Sequence, residues 1–405
     1  MLVLLPARAG LAIAVLLWAP GCVHDAFESP AARRSGSPAG GCARDGDGEI
    51  VCLRARTDCR PGALDCTPAL FDPVGQLRVL RQAGAPIAFR VGPMVGVSRR
   101  NHFQGVQRLA GERPRFVVTR STAAPRDTDF GLVELSGGAA SGAGFGFAAE
   151  AGPRLSRAFD TGTDYTHAGG GQLMGRIFAL PLERGAAGSA VQLYDLSVPG
   201  APRLRAVVPH RGPDGEELDQ AGTASLAALA DGTFLLIIGR RHANELDFYR
   251  SATTDVATTR WRYLDQWSEA ELETAIGDRA FGDYQNLALL PGADGALYLL
   301  GSHRHGGGPD WLDLHRVSVE AGRRGAARVV VTKVARRHLR CSFRGQELCD
   351  LDAGAGAYVG ADGRLRLYAI THAASASRDG ARDGSAMVGM MEFVSDLRAA
   401  RRSRE

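Results

Sequence analysis

Ser225-Leu-Ala-Ala-Leu-Ala230, Asp231-Gly232, Thr233-Phe-Leu-Leu-Ile-Ile-Gly239, Glu245-Leu-Asp-Phe-Tyr-Arg-Ser251 and Arg260-Trp-Arg-Tyr-Leu264 follow one another between Ser225 and Trp267. The first run is short and apolar, and Asp231-Gly232 is a hairpin signal that joins it to a second run, apolar on both faces. A strand of that kind is buried on both sides. The third run alternates as a half-buried strand does, and the fourth does so less cleanly. Together they spell a four-stranded antiparallel sheet, the unit of a propeller blade.

The same grammar recurs four more times, at intervals of about 50 to 70 residues, near the period of propeller repeats. Blade one contains 105–109, 115–120 and 130–135, and blade two contains 170–174, 176–182, 190–195 and 203–208. Blade four contains 285–290, the turn Asp294-Gly295, then 296–300, 311–317 and 328–332. Blade five contains 356–360, the turn Asp362-Gly363, then 364–370 and 387–394. Blade five ends before a fourth strand, so an N-terminal strand, Gln76–Leu80 or Ile87–Val91, is expected to complete it and close the ring. Closure removes the exposed sheet edges of an open array. The expectation is an all-β propeller of five four-stranded blades, with a sixth blade from residues 72–97 as the alternative.

The words Asn101-His-Phe-Gln-Gly-Val-Gln-Arg-Leu109, His167-Ala-Gly-Gly-Gly-Gln172, Glu245-Leu-Asp-Phe-Tyr249 and Tyr284-Gln-Asn-Leu287 resemble a group of uncharacterised secreted bacterial propeller-like proteins. The resemblance spans roughly residues 95–395 and implies the fold, with no established activity and no catalytic residue to carry over.

Composition agrees with one large domain: 405 residues, 45% hydrophobic, with a net charge of only +4. The basic residues are almost all arginine, Lys333 being the sole lysine. No basic run is interleaved with aromatics, which argues against nucleic-acid binding.

Arg8 followed by Leu11-Ala-Ile-Ala-Val-Leu-Leu-Trp-Ala19 is a charged flank and an apolar core too short to span a membrane. Residues 1–21 therefore read as a secretion signal. Ala19-Pro-Gly-Cys22 looks like a bacterial lipoprotein processing site, although Ala19 stands where that pattern has Leu. Cys22 is the expected lipidation site, so the membrane is met through a lipid anchor only; ordinary cleavage with Cys22 a spare thiol is the alternative. Setting Cys22 aside leaves six cysteines: Cys42, Cys52, Cys59, Cys66, Cys341 and Cys349. A bridge between Cys341 and Cys349, and two inside the N-terminal four, is the simplest partition. Export and the lack of a Cys-x-x-Cys pair favour disulfides over zinc.

The domain expectation is a tether and Cys-rich segment over 22–70, the propeller over 71–395 and a basic tail over 396–405. Gly137–Gly146 lacks dinucleotide-loop spacing and reads as a loop of blade one. Ser268-Glu-Ala-Glu271 is a capping box that opens a helix through about Gly277.

Strand direction alternates, so the Asp-Gly turns share a lower face, while the loops after second strands and between blades share an upper face. Long loops on a rigid scaffold are where binding sits. His102, His167 and Asp283 lie at or before the starts of channel strands; Glu183, Arg240, His242, His303, His305 and His372 follow second strands. His102, His167, Glu183, Arg240, His242, Asp283, His303 and His372 are thus the candidate ligand-binding set. Glu183 and Asp283 are the candidate acid and base, with neutralisation by Arg240 or Arg304 as the plainer reading. His102, His167, His303 and His372 are the candidate ligands of a divalent metal, which neutral imidazoles bind. Gly169-Gly-Gly171 suits close backbone approach at the axis. No Gly-x-Ser-x-Gly elbow, His-Glu-x-x-His helix or phosphate loop occurs. The functional expectation is an exported lipoprotein scaffold, a monomer, that binds a small molecule, a glycan or a protein at the upper face. The alternative is an extracytoplasmic hydrolase, glycosidase-like or phosphoesterase-like, at the channel mouth.

Overall fold

The computed structural model describes residues 41–45, 48–91, 102–121, 129–135, 154–162, 164–185, 187–276, 283–304, 308–322, 327–372, 375–376 and 386–397. Residues 1–21, Cys22, the tether, the Gly137–Gly146 loop, His305 and the basic tail from 398 lie outside them.

Five antiparallel sheets form a closed ring, a five-bladed propeller. In blade 3 the strands Thr223–Ala228, Phe234–Arg240, Glu245–Ser251 and Trp261–Trp267 pair in simple order. Blade 4 repeats this with Asn286–Pro291, Leu297–Arg304, Asp310–Ala321 and Ala327–Leu339. Blade 2 has a divided inner strand, His167–Ala168 and Gln172–Met174, then Ile177–Glu183, Ser189–Asp195 and Arg203–Pro209. Blade 1 runs His102–Leu109, Arg115–Ser121, Asp129–Glu134 and Arg154–Asp160. Its fourth strand escaped the sequence reading because Arg154-Leu-Ser-Arg-Ala-Phe-Asp160 presents mainly exposed residues.

Blade 5 is Gly354–Val359, Leu365–Ile370 and Ala386–Val394, completed by the N-terminal strand Ala85–Val91 in antiparallel register with Ala386–Glu392. Ile87–Val91 is therefore the closing segment. Gln76 to Arg78 end a short helix, Pro73–Arg78, capped by the Asp72 side chain on the Gly75 N–H, so 72–97 builds no sixth blade.

The doubly apolar strands predict the packing. Leu235 and Ile237 face blade 4, while Phe234, Leu236 and Ile238 face blade 2. Every pair of neighbouring blades has its own apolar cluster, five in all, and the fifth joins Phe103, Val106 and Phe116 of blade 1 to Tyr368 and Ile370 of blade 5. Burying one such Leu or Ile side chain stabilises by about 1.5–3 kcal/mol. The Asp-Gly hairpins place Gly232, Gly295 and Gly363 at φ of 83°, 78° and 71°, where a side chain would be strained.

The Cys-rich segment, expected apart from the propeller, packs against it over residues 41–70. Ala43, Val51, Leu53 and Ala55 enter the blade 3–blade 4 cluster. The Ala55 N–H donates to Gly295 O, the Arg176 N–H to Leu64 O and the Leu70 N–H to Pro291 O, so the strap crosses the lower face from blade to blade. Disulfides join Cys42 to Cys52, Cys59 to Cys66 and Cys341 to Cys349. Three disulfides are the chemistry of an extracytoplasmic compartment. Among the described residues no helix is long and apolar enough to cross a membrane. At the start of the helix Glu269–Ile276, Ser268 N and Oγ both donate to Glu271 Oε2, which is the Glu half of the capping box, while the Glu271 N–H donates to the Ser268 carbonyl.

Candidate functional site

The inner strands approach so closely at the axis that polar side chains fill it. Gln172 Nε2 donates to Leu289 O at 2.8 Å, and its Oε1 accepts from the N–H groups of Leu226 and Leu289, so one amide ties three blades together. Thr223 Oγ1 donates to Gly170 O and accepts from the Leu287 N–H. A Cβ on Gly169 would stand 2.0 Å from Gly222 O, and one on Gly170 would stand 2.3 Å from Gln285 O. The glycines between His167 and Gln172 thus serve the close approach read from the sequence. Asn286, 5% exposed, lies against Gly105 and Gly170, and neither end of its amide has a hydrogen-bond partner.

Above this plug, three histidines from different blades meet. His102 opens the inner strand of blade 1, and its ring centroid lies 4.5 Å from that of His372 and 6.5 Å from that of His167. The Phe103 N–H donates to His372 O, which fixes the approach of blade 5 to blade 1. The Gln104 amide makes a close contact with His102 Nε2. Glu183 pairs in register with His167; its Oε2 lies 3.4 Å from His167 Nδ1 and its Oε1 accepts from the Ala221 N–H. Across the mouth Gln285 Nε2 lies 2.6 Å from His242 Nδ1, and the Asp283 N–H donates to Asn244 Oδ1.

Backbone strain is concentrated here. Five described non-glycine residues have positive φ, and four of them, Arg241, His242, Ala243 and Asp283, belong to these mouth loops. Left-handed backbone at ordinary residues is costly and clusters at ligand sites.

The electrostatics favour the neutral imidazole at His102 and His167. Burial, then the neighbouring His372 and His167, push His102 down to about 4. Burial also lowers His167, against the opposing pull of Glu183. Asp352, before the inner strand of blade 5, is raised by burial and by Asp350, against His242 and His372. A neutral imidazole offers one donor and one acceptor, and the carboxylates and amides add acceptors and donors around it.

His102, His167, Glu183, His242, Asp283 and His372 therefore sit in one upper rim. Arg240 and His303 do not join them. Arg240 is the last residue of its strand, with Nε 2.7 Å from Asp247 Oδ2 and Nη1 2.5 Å from Glu245 Oε2. His303 was placed in a loop, but its strand runs on to Arg304 and carries the ring into the sheet, 2% exposed, with Nε2 3.4 Å from Asp313 Oδ2. The four-histidine metal set is corrected accordingly, and among the described residues no three His, Cys, Asp or Glu side chains are arranged to hold a metal ion. The ion-pair reading of Glu183 is corrected as well, because Arg240 serves Glu245 and Asp247 while Arg304 serves Glu347 and Asp350.

One constellation was not singled out from sequence. Ser189 Oγ lies 2.9 Å from His210 Nδ1, and His210 Nε2 lies 3.0 Å from Asp247 Oδ2. These are the residue types of nucleophilic catalysis. However, Ser189 Oγ donates to Leu218 O, and His210 and Asp247 are fully buried, so the chain is a clamp between blades 2 and 3.

No family model and no curated protein sequence matches the chain. Among solved structures, it is similar to a protein of unknown function from Dyadobacter fermentans, at 9% identity over 78% of this chain and 100% of that one, TM-score 0.41. It is also similar to a β-fructofuranosidase of Bombyx mori, at 12% identity over 78% of this chain and 63% of that one, TM-score 0.39. A fructan 1-exohydrolase of Cichorium intybus matches at 13% identity over 71% and 54%, TM-score 0.38. The chain spans less than two thirds of the length of the latter two.

Proposed function

We propose that this protein is an exported propeller lipoprotein that binds a small polar ligand, of glycan type, at the upper mouth. The observation that carries this reading is the convergence of His102, His167 and His372 beside Glu183 and Gln104. Neutral imidazoles, amides and carboxylates supply the mixed donors and acceptors that hydroxyl groups pair with, and the sparse cations of the rim disfavour an anionic ligand. Titration against a glycan and metabolite panel tests it. Saturable binding that weakens about tenfold or more in His167→Ala, with folding intact, supports the reading; binding indifferent to His167, His102 and Glu183 defeats it. Labelling with a lipid precursor tests the anchor, which a Cys22→Ala protein that still takes up label would refute.

A second reading, hydrolysis at the same mouth, rests on the His167–Glu183 contact, a carboxylate oxygen 3.4 Å from an imidazole nitrogen, a separation that would have to shorten in a complex for proton transfer. Turnover of a bound glycan that Glu183→Gln abolishes without abolishing binding selects it over the scaffold.

A further inference from the structure

The exposed apolar side chains of the described residues are not spread evenly over the propeller. Ile50, Leu64 and Phe71 of the strap are 60%, 44% and 78% exposed, and Val198, between the third and fourth strands of blade 2, is 57% exposed. Strand direction puts that connection on the lower face, which the strap also crosses. Leu204 and Val207 stand on the outer strand of blade 2, and among the described residues no upper loop carries a large exposed apolar side chain. Single exposed apolar side chains are ordinary. Their gathering below, opposite a polar upper rim, is an asymmetry that packing inside the ring does not require.

The same face carries arginines that the protein leaves without an anion. Arg60 lies in the Cys59–Cys66 loop with Leu64, and Arg176 lies in the blade 2 hairpin, where its N–H donates to Leu64 O and its carbonyl accepts from the Leu196 N–H. Leu64, Arg176 and the loop bearing Val198 therefore adjoin. Arg60 and Arg176 are exposed and meet no carboxylate among the described residues. By contrast, Asp58, Asp65, Asp231 and Asp362 of this face are each paired with an arginine. Apolar side chains beside unneutralised arginines suit a bilayer surface, where the apolar groups enter the boundary between headgroups and acyl chains and the guanidinium forks sit on lipid phosphates.

Chain connectivity points the same way. The strap begins at Gly41, packed against Val319 O near the lower end of the third strand of blade 4, and leads from there across the lower face. Residues 23–40 join Gly41 to Cys22, a span of at most about 65 Å when fully extended. An acylated Cys22 would hold the propeller at high local concentration over the bilayer, so a modest affinity suffices to orient it. We propose that the lower face docks on an anionic lipid surface, with Leu64, Phe71 and Val198 in the headgroup boundary and Arg60 and Arg176 on the phosphates. The proposal rests on the lipoprotein reading for its tether, and it turns the ligand mouth away from the bilayer toward the medium.

The test uses the mature chain from residue 22 with Cys22→Ser, so that no acyl group takes part. It is floated with vesicles of equimolar phosphatidylglycerol and phosphatidylcholine, and with phosphatidylcholine alone. The expected result is saturable binding to the anionic vesicles that weakens as salt rises and is at least about fivefold weaker on the neutral ones. Leu64→Ser with Phe71→Ser is expected to weaken both by about tenfold or more, and Arg60→Gln with Arg176→Gln to weaken only the anionic case by a similar factor. Arg211→Gln, on an upper loop, should change neither. All five side chains are at the surface, so folding is not at stake. No binding to either vesicle, an apolar pair without effect, or an equal loss in Arg211→Gln would overturn the proposal. So would a dimer in sedimentation velocity that Phe71→Ser disperses, which would assign the face to a second copy of the chain. Failure of lipid labelling at Cys22 would remove the anchor alone, because vesicle binding is read here without it.

Discussion

The imidazoles of His102 and His372 lie 4.5 Å apart, centroid to centroid, at the seam where the first and fifth blades meet. Burial makes protonation of His102 costly, and the neighbouring His372 adds to this.

The first prediction concerns acid stability. His102 is held down to about 4 in the folded protein, whereas the unfolded chain takes up that proton at roughly pH 6.5. A depressed folded value means that the stabilisation is present above the unfolded value and is lost as pH falls through the folded one. Urea midpoints are therefore expected to fall between about pH 6.5 and pH 4, and His102→Gln to flatten part of that slope. His167, lowered in the same direction, accounts for part of the remainder. An NMR titration placing His102 near 6.5 would refute the account.

Ring closure makes a second prediction at Gly356. A Cβ there would stand 1.7 Å from Val106 O, backbone against backbone, on the inner strand facing blade 1. Neither strand can yield without opening the seam. Gly356→Ala is expected to cost about 1–3 kcal/mol or more, while Gly200→Ala, with nothing within 4 Å, changes the unfolding midpoint little. Equal effects from the two substitutions would contradict the seam.

A third prediction tests the buried charges. Asp247 and Asp313 hold the same place on the third strands of blades 3 and 4, in the words Leu246-Asp-Phe-Tyr249 and Leu312-Asp-Leu-His315. Burial would raise the Asp313 carboxyl, yet the guanidinium of Arg336, with His303 and Lys333 nearby, holds it well below the ordinary range. Asp313→Ala leaves Arg336 and Lys333 uncompensated and is expected to cost about 3–5 kcal/mol. Because the folded value is depressed, the stabilisation is present above the unfolded value and disappears as pH falls through the folded one. The difference between wild type and variant should shrink in acid; a constant difference would mean lost packing instead.

Blade architecture was legible because blades 3, 4 and 5 state it twice, in an Asp-Gly turn and in a strand apolar on both faces, and blades 1 and 2 repeat the strand pattern. The rim histidines were legible for a related reason: strand direction alone fixes which loops share a face. His303 was misplaced because a strand's end is not written in its sequence. Gly301-Ser-His-Arg304 reads as a loop, and pairing with Asp310–Ala321 carries the ladder through to Arg304. Asn286 and Gln172 were passed over because a polar residue on a channel strand looks the same in sequence whether it meets solvent or another blade's backbone. The strap was read as a separate segment since its bonds to Gly295, Arg176 and Pro291 come from its backbone, which leaves no side-chain signature.

The last prediction separates two of the disulfides by burial. Cys341 and Cys349 flank a hairpin, Ser342–Phe343 and Gln346–Glu347, turned at Arg344 and Gly345, and both sulfur-bearing residues are buried in the blade 4–blade 5 cluster at 4% and 0% exposure. Cys42 and Cys52 lie opposite each other in a small hairpin of the strap and remain partly exposed. A reductant needs access to sulfur, so Cys42–Cys52 is expected to open in the native protein, while Cys341–Cys349 opens only when blade 5 parts from blade 4. Closing an eight-residue separation is worth about 2.5 kcal/mol on the chain-entropy estimate. Replacing both Cys341 and Cys349 with Ala should lower stability by about that amount, plus the apolar contacts of two buried sulfurs. Timed thiol trapping followed by peptide mapping reads the order of opening, and urea unfolding reads the cost. Early trapping of Cys341 in folded protein would show that blade 5 parts from blade 4 well below the unfolding transition, and that the ring's strength lies in its other four interfaces.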